Sequence, residues 1–343
     1  MAEIPIKVVA IGGGTGLSTL LKGLKHFDQP GSVRTSGLDV FIRSLTAIVT
    51  VTDDGGSSGR LRKEFNILPP GDIRNCLVAL SEDEELLSQL FQYRFKSGAG
   101  LEGHNFGNLF LAALTSITGD FAMAVKLSSA ILKSRGVIYP STVSNVELEA
   151  LMADGSRVRG ETSISRSKQR IVELYMIPPD AQPLPQALEA IAEADLITLG
   201  PGSLYTSLIS NLIVKGIPEA IQASSAIKIF VCNLMTQANE SLGLSAADHL
   251  RALEDHAKAQ LFDYALLNTR EVSAELKAKY AAEGAERIRV DMEEIRQMGI
   301  EPVCGDFLEE HAGVARHAND ILAQALLRMA VNAQRSALSR ERS

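Results

Sequence analysis

Asp53 and Asp54 stand side by side just past a β-branched run, residues 46–51, that reads as a buried strand. Two carboxylates at the carboxyl end of a strand lie where open α/β sheets receive their ligands. Adjacent strand residues face opposite ways, so one of the pair points into a crevice and the other is free to fix the loop. Mg²⁺ typically takes one or two carboxylates plus phosphate oxygens, so either Asp53 or Asp54 suits as a metal ligand, and either could instead accept a ribose hydroxyl. The glycine- and hydroxyl-rich stretch 55–59, with Gly56, Ser57 and Ser58, reads as a flexible loop able to form a backbone nest for an anion. Arg60 and Arg62 follow, and guanidinium groups clamp phosphate through paired hydrogen bonds.

Comparable junctions recur along the chain. GGGTG at 12–16 joins a strand to a helix. Gly13, Gly14, Thr15 and Gly16 would let a phosphate approach the backbone and the helix N-terminus. The dinucleotide fingerprint is incomplete, because Leu17 occupies the third glycine position, and no Gly-Lys-Ser/Thr of a P-loop follows. Asp72 reads as the N-cap of a helix, with Asn75 one turn on along the same face and Arg74 pointing elsewhere. His104, with Asn108 four residues later, could serve acid–base chemistry or hold phosphate. No Ser or Cys stands near His104 at the local spacing of a nucleophile. Gly202 and Ser203 sit in a second strand–glycine–helix junction, GPGS at 200–203. After the next strand come Asn233, Thr236 and Gln237, donors and acceptors of the kind that read sugar hydroxyls or a base. Each segment also has a plainer use as a tight β–α turn, a cap or a polar loop. No catalytic residue is fixed; the candidates are Asp53, Asp54 and His104.

These junctions need alternating strands and helices to hold them. The pattern predicts strands at 7–11, 46–51, 196–199, 228–232 and 264–267. Helices are expected at 17–26, from 72, and at 84–95, 105–117, 121–133, 185–193, 204–212, 246–256, 273–280 and 314–330. Short strands at 137–139, 146–152, 157–160 and 171–177, with a turn at Asp154-Gly155, read as a small antiparallel insertion, about 136–180. Residues 28–43 read as a long extended link, and 333–343 as a polar tail that frays. The expectation is one α/β domain over 1–332.

The 343 residues are 45% hydrophobic and 22% charged, ordinary values for a folded chain. A net charge of −7 argues against nucleic acid as a partner, and 5% aromatics with no Trp argue against a base-stacking platform. The three cysteines are scattered and show no metal spacing. No signal peptide is evident, and no apolar run approaches the roughly 20 residues of a membrane span, so a cytoplasmic location is expected.

Seven motifs together carry a resemblance: IGGGTGLS at 11–18, TDDGGSSGRLR at 52–62, LPPGDIRNCL at 68–77, FQYRF at 91–95, GHNFGNL at 103–109, LGPGSLYTS at 199–207 and CNLMTQ at 232–237. The chain resembles, over about residues 6–330, the bacterial YvcK-like gluconeogenesis factors, which group with the 2-phospho-L-lactate transferases in the CofD-like superfamily. The resemblance implies a Rossmann-like α/β fold, a mostly parallel sheet with helices on both faces. It also implies a regulator that binds a UDP-sugar or another nucleotide diphosphate, foremost UDP-N-acetylglucosamine, and links carbon metabolism to cell shape and cell-wall synthesis. On that reading Asp53, Asn233 and Thr236 read ribose, sugar or base. The transferase branch implies the alternative of an Mg²⁺-dependent phosphoryl-type transferase. NAD binding is a third reading. A homo-oligomer and a regulatory protein partner are both compatible with the sequence.

Overall fold

The structure, a computed structural model, describes residues 3–30, 40–82 and 86–341, with side chains described to residue 335. In chain order the elements begin β1 (Ile4–Gly12), α1 (Gly14–Leu24), β2 (Val40–Val49), α2 (Gly56–Phe65), α3 (Gly71–Leu80), α4 (Leu86–Gln92), α5 (Phe106–Thr118), α6 (Phe121–Ile131) and β3 (Val137–Pro140). The insertion follows with β4 (Glu147–Met152), β5 (Arg157–Arg159), α7 (Glu161–Arg166) and β6 (Ile171–Ile177). Then come α8 (Pro185–Ala192), β7 (Leu196–Leu199), a π-helical turn Leu204–Ile209 running into α9 (Ser210–Leu212), α10 (Ile217–Ala223) and β8 (Ile227–Val231). The chain closes with α11 (Ala246–Ala257), β9 (Tyr264–Asn268), α12 (Ala274–Ala282), α13 (Met292–Gln297), β10 (Glu301–Gly305), β11 (Leu308–His311), β12 (Val314–His317) and α14 (Asn319–Glu341).

Seven parallel strands form the main sheet in the order β10-β9-β8-β7-β1-β2-β3. Covered on both faces, the central strands are continuous apolar runs: the last five residues of β1 and all four of β7 are buried. Alternate residues of β1 feed opposite layers. Ile6, Val8 and Ala10 pack with Leu17 and Leu21 of α1 and Leu322 and Leu326 of α14. Val9 and Ile11 pack with Leu204, Leu208 and the insertion's Leu148 and Leu174. The chain winds outward from β1 through β2 and β3, then returns to build β7 to β10 on the other side. The direction of winding therefore reverses between β1 and β7, where a crevice opens beyond the strand ends.

The expected α/β architecture with a small antiparallel insertion is present, as the three-stranded sheet β5-β4-β6. Several local expectations are corrected. Residues 137–140 do not join that insertion; β3 pairs in parallel with β2 at the edge of the main sheet. Strand β2 begins at Val40, so the extended link is shorter than expected, and its residues 31–39 lie outside those described. Residues 83–85, at the expected start of α4, also lie outside. The stretch 55–59 is no loop but the first turns of α2, because packing of Gly59 on the Asp54 carbonyl overrides poor helix propensity. Asp72 is not an N-cap; Pro70 holds that position. The closing helix does not start at 314: Val314–His317 is the second arm of the β11–β12 hairpin, and α14 begins at Asn319. Strand β10 escapes the alternation pattern because it is an edge strand with Pro302 inside and mixed burial.

Candidate functional site

β1 and β7 pair with Ile11 level with Leu199, so their two glycine loops leave the sheet side by side. The loops are in contact: a Cβ on Gly16 would lie 2.2 Å from the Pro201 carbonyl oxygen. Together they wall a cleft of about 380 Å³, within the range of small-molecule sites. Gly13, Gly14, Thr15, Gly16, Gly202, Ser203, Asn233 and Thr236 all line it. The tertiary fold adds residues that no local motif marked: Thr19, Tyr280, and Val314 to His317 from the hairpin.

Hydrogen bonds show how the cleft is braced. Gly202 N–H donates to Asn233 Oδ1 (3.0 Å), and Asn233 Nδ2 donates back to the Gly202 carbonyl (2.6 Å). Asn233 thereby shapes the second glycine loop. Asn233→Ala should lower the unfolding free energy by about 1–3 kcal/mol in urea, because both Gly202 groups lose their partner; an unchanged midpoint would show that the loop is held by other contacts. The Thr236 hydroxyl accepts from Glu286 N–H (2.9 Å). The Thr206 hydroxyl (2.7 Å) and Tyr205 N–H (3.2 Å) at the π-helical turn both donate to buried Glu240. Of the two residues before Tyr205, Ser203 lines the cleft, whereas Leu204 is fully buried and does not. His317 Nε2–H donates to the Cys232 carbonyl (3.1 Å), and burial drives its pKa down to about 4, so the ring is neutral.

A second, acidic group adjoins the first glycine loop. Asp72 accepts a bond from Gly14 N–H and lies half-buried against Gly13 of the same loop. Burial, then the Asp53 carboxylate, raises its pKa to about 7. Asp53 Oδ1 accepts from Gly55 N–H (2.8 Å), while Oδ2 faces Gly71 at the start of α3. Asp54 takes the other direction, in a loop beyond the end of β2 at Val49 where strand alternation does not operate. Its Oδ1 accepts from Thr162 N–H (2.8 Å) and the Thr162 hydroxyl, tying α7 of the insertion to the core. From α7, Glu161 faces the same group, and burial with Asp53, Asp72, Asp54 and Glu240 raises its pKa to about 9. Nothing in the local sequence marked Glu161, since only the insertion's docking brings it here.

The remaining candidates pack around α2. Ser57 Oγ lies within hydrogen-bond distance of His104 Nδ1 (3.1 Å) and accepts from Asn105 N–H (3.2 Å). His104 is only 4% exposed, and burial followed by the Arg60 charge lowers its pKa, keeping it neutral. The absence of a serine near His104 in local spacing is thus reversed by tertiary contact. Asn108 Nδ2 reaches Ser58 Oγ (3.4 Å), and Asn105, not His104, caps α5. Gly56 opens α2 with free space around it. Arg60 spends a donor on the Glu102 carbonyl (2.7 Å), and Arg62 binds Asn145 Oδ1 (2.7 Å) and the Val146 carbonyl. Arg62 is therefore a brace between α2 and the insertion rather than a phosphate clamp. Asn75 and Arg74 face away from the acids into an adjoining cavity.

Among the described residues no three His, Cys, Asp or Glu side chains converge as a metal cage. Asp53 with Asp72 does fit the sparser mode in which Mg²⁺ takes one or two carboxylates and completes its shell with ligand phosphates. No helix among the described residues is long and apolar enough to cross a membrane.

The family model for 2-phospho-L-lactate transferase CofD matches residues 8–308. A protein called gluconeogenesis factor from Halalkalibacterium halodurans is 48% identical over 320 residues, covering 93% of this chain and 95% of that protein. A gluconeogenesis factor from Bacillus subtilis is 46% identical over 321 residues, covering 94% and 97%. The crystal structure of a UPF0052-family protein from Bacillus halodurans superposes with a TM-score of 0.87 at 48% identity, over 93% of this chain and 99% of that one.

Proposed function

The chain belongs to the CofD family, and from that premise we propose that it is a gluconeogenesis-factor-type regulator that binds a nucleotide sugar, with UDP-N-acetylglucosamine as the leading ligand. One observation carries the reading: two glycine loops meet at the point where the sheet reverses its winding, over a polar cleft that contains no activated nucleophile. The amides of Gly13, Thr15, Gly16 and Ser203 receive the diphosphate, while the Gly14 amide is held by Asp72. Thr236 and Gln237, beside the Asn233-braced loop, read the sugar or base. Carbon metabolism, cell shape and cell-wall synthesis are the processes such a sensor would connect, through a protein partner or self-association. We take residues 1–332 as one domain.

The alternative, a Mg²⁺-dependent transfer of a phosphorus-containing group, draws on the carboxylates of Asp53 and Asp72 beside the first glycine loop. Bound there, the metal would neutralise diphosphate charge. Asp53 is the better ligand, since Asp54 is committed to Thr162. His104 is enclosed and serves α2 packing on this reading.

Calorimetric titration with UDP-N-acetylglucosamine and other UDP-sugars, with and without Mg²⁺, is the test. Binding should stabilise the protein by about 2.7 kcal/mol at a ligand concentration one hundred times Kd. Silence in both calorimetry and thermal shift with every UDP-sugar defeats the sensor reading. Turnover of a nucleotide-linked donor only with Mg²⁺ would favour the transferase.

A further inference from the structure

Beyond the first glycine loop, on the side away from the π-helical turn, lies a second cavity of about 630 Å³. Thr15 and Thr19 of α1 form the ridge between the two spaces. Its walls carry Lys22 from α1, Arg74 from α3, Arg94 from the segment after α4, and Arg316 from β12, against one carboxylate, Glu309. The chain as a whole carries −7, so this concentration of positive charge is local and opposes the average. Among the described residues, none of the four cations takes part in an ion pair.

The cations are placed by construction. The Arg74 stem runs across Gly107 of α5, where a Cβ would lie 2.9 Å from its Cγ and Cδ. A glycine inside a helix costs about 1 kcal/mol relative to alanine, and here it makes room for the arginine. Arg74 Nη2 donates to Asn75 Oδ1 (2.7 Å), while its Nε is buried with no partner. Arg94 is held by backbone pairing with Asn105 and by its own bond from Nη1 to the Gly103 carbonyl (2.8 Å). The fold thus holds two guanidinium groups close enough to repel, and burial adds to the cost of the Arg74 charge. Asp72 and Asp53 offset part of it from the glycine-loop side. An anion that accepts from several donors at once would offset this clustered positive charge.

We propose that this cavity is an anion subsite for a phosphate-class group, with Arg74 and Arg94 as the paired donors and Lys22 at its mouth. The chemistry suits either a small phosphorylated molecule bound beside the nucleotide ligand or a phosphate at the far end of one ligand that spans both spaces. The subsite does not rest on the nucleotide-sugar reading, because Arg94 and Lys22, the residues varied to test it, line this cavity and not the glycine-loop cleft.

Inorganic pyrophosphate, titrated calorimetrically into the full chain at fixed ionic strength, is the probe. Binding is expected, with Kd raised about tenfold in Arg94→Gln, the loss of one charge-assisted contact. Lys22→Gln, on an exposed helix face where folding is not at risk, should raise Kd by a smaller but measurable factor. Addition of UDP-N-acetylglucosamine then separates the sources: additive binding means a second small molecule, and mutual exclusion means one spanning ligand. No heat from pyrophosphate, or equal affinity in wild type and both variants, overturns the proposal. Either result leaves the UDP-sugar titration to be judged by itself.

Discussion

Gly16→Ala is expected to remove several kcal/mol of stability and to abolish ligand-induced stabilisation together. An added methyl would sit 2.2 Å from the Pro201 carbonyl oxygen, 2.6 Å from its carbon and 3.0 Å from Gly202 Cα. These are backbone atoms, and the loop that carries them is pinned through Gly202 to Asn233, so it cannot swing away as a side chain would. Overpacking of a filled interior usually costs about 1–3 kcal/mol, and a clash with fixed backbone belongs at the upper end of that range. Relief requires the two glycine loops to part, which spreads the anion-facing amides on both. Gly12→Ala is the matched control. Its nearest neighbour would be the Leu17 side chain at 3.5 Å, an ordinary contact, and less than about 1 kcal/mol should be lost. Urea unfolding and a UDP-sugar thermal shift on both variants make the comparison. Equal stability in the two would mean that the loops are not in the close contact described.

The second large effect concerns Asp72 and depends on pH. Its folded-state pKa, about 7, lies above the ordinary 3.8 because burial and Asp53 disfavour the charged form. Between those values the folded protein holds a proton that the unfolded chain has released. The contribution to stability is therefore fully present below about pH 3.8 and lost as pH rises through about 7. The ceiling on that loss is about 4 kcal/mol, and the partial exposure of Asp72 brings the expected value nearer 2 kcal/mol. Asp72→Asn keeps an acceptor for Gly14 N–H and cannot ionise. It should match wild type near pH 4 and exceed it by about 2 kcal/mol at pH 8 in urea unfolding. A stability difference that is the same at both pH values would show that Asp72 carries no such strain. Glu161, with its pKa at about 9, adds a slope of the same sign that extends further into alkaline conditions. A protein that tolerates such a group of carboxylates stores repulsion that a cationic ligand or metal–diphosphate pair would release on binding.

Much of this site was legible in the chain itself. Buried β-branched runs ending in GGGTG and GPGS announce parallel strands followed by glycine turns, since a strand covered on both faces must be apolar throughout. Strand alternation led to the expectation that Asp53 and Asp54 would divide their tasks; Asp54 does turn to Thr162 while Asp53 stays with α3, but β2 ends at Val49, so the loop and not the pleat sets their directions. Where expectation failed, the cause was local weakness repaired by distant packing. The glycines and serines of 55–59 have low helix propensity and read as a loop, yet α2 forms because Gly59 closes on Asp54 and Arg62 reaches the insertion. The β11–β12 hairpin was missed because its strands are short and mostly polar, and its positive-φ turn at Ala312 and Gly313 carries a weak signal.

The sequence by itself determined the strand–glycine–helix units and the family, because those depend on neighbours a few positions apart. Only the tertiary structure decided which units meet. It set GGGTG against GPGS, brought Ser57 to His104 across 47 positions, and carried Glu161 into the acidic group. It also gathered Lys22, Arg74, Arg94 and Arg316 around one cavity. The physical reason is the same in each case: charge and hydrogen bonding act over a few ångströms of space, and the order of strands in the sheet, not the order of residues in the chain, sets those distances.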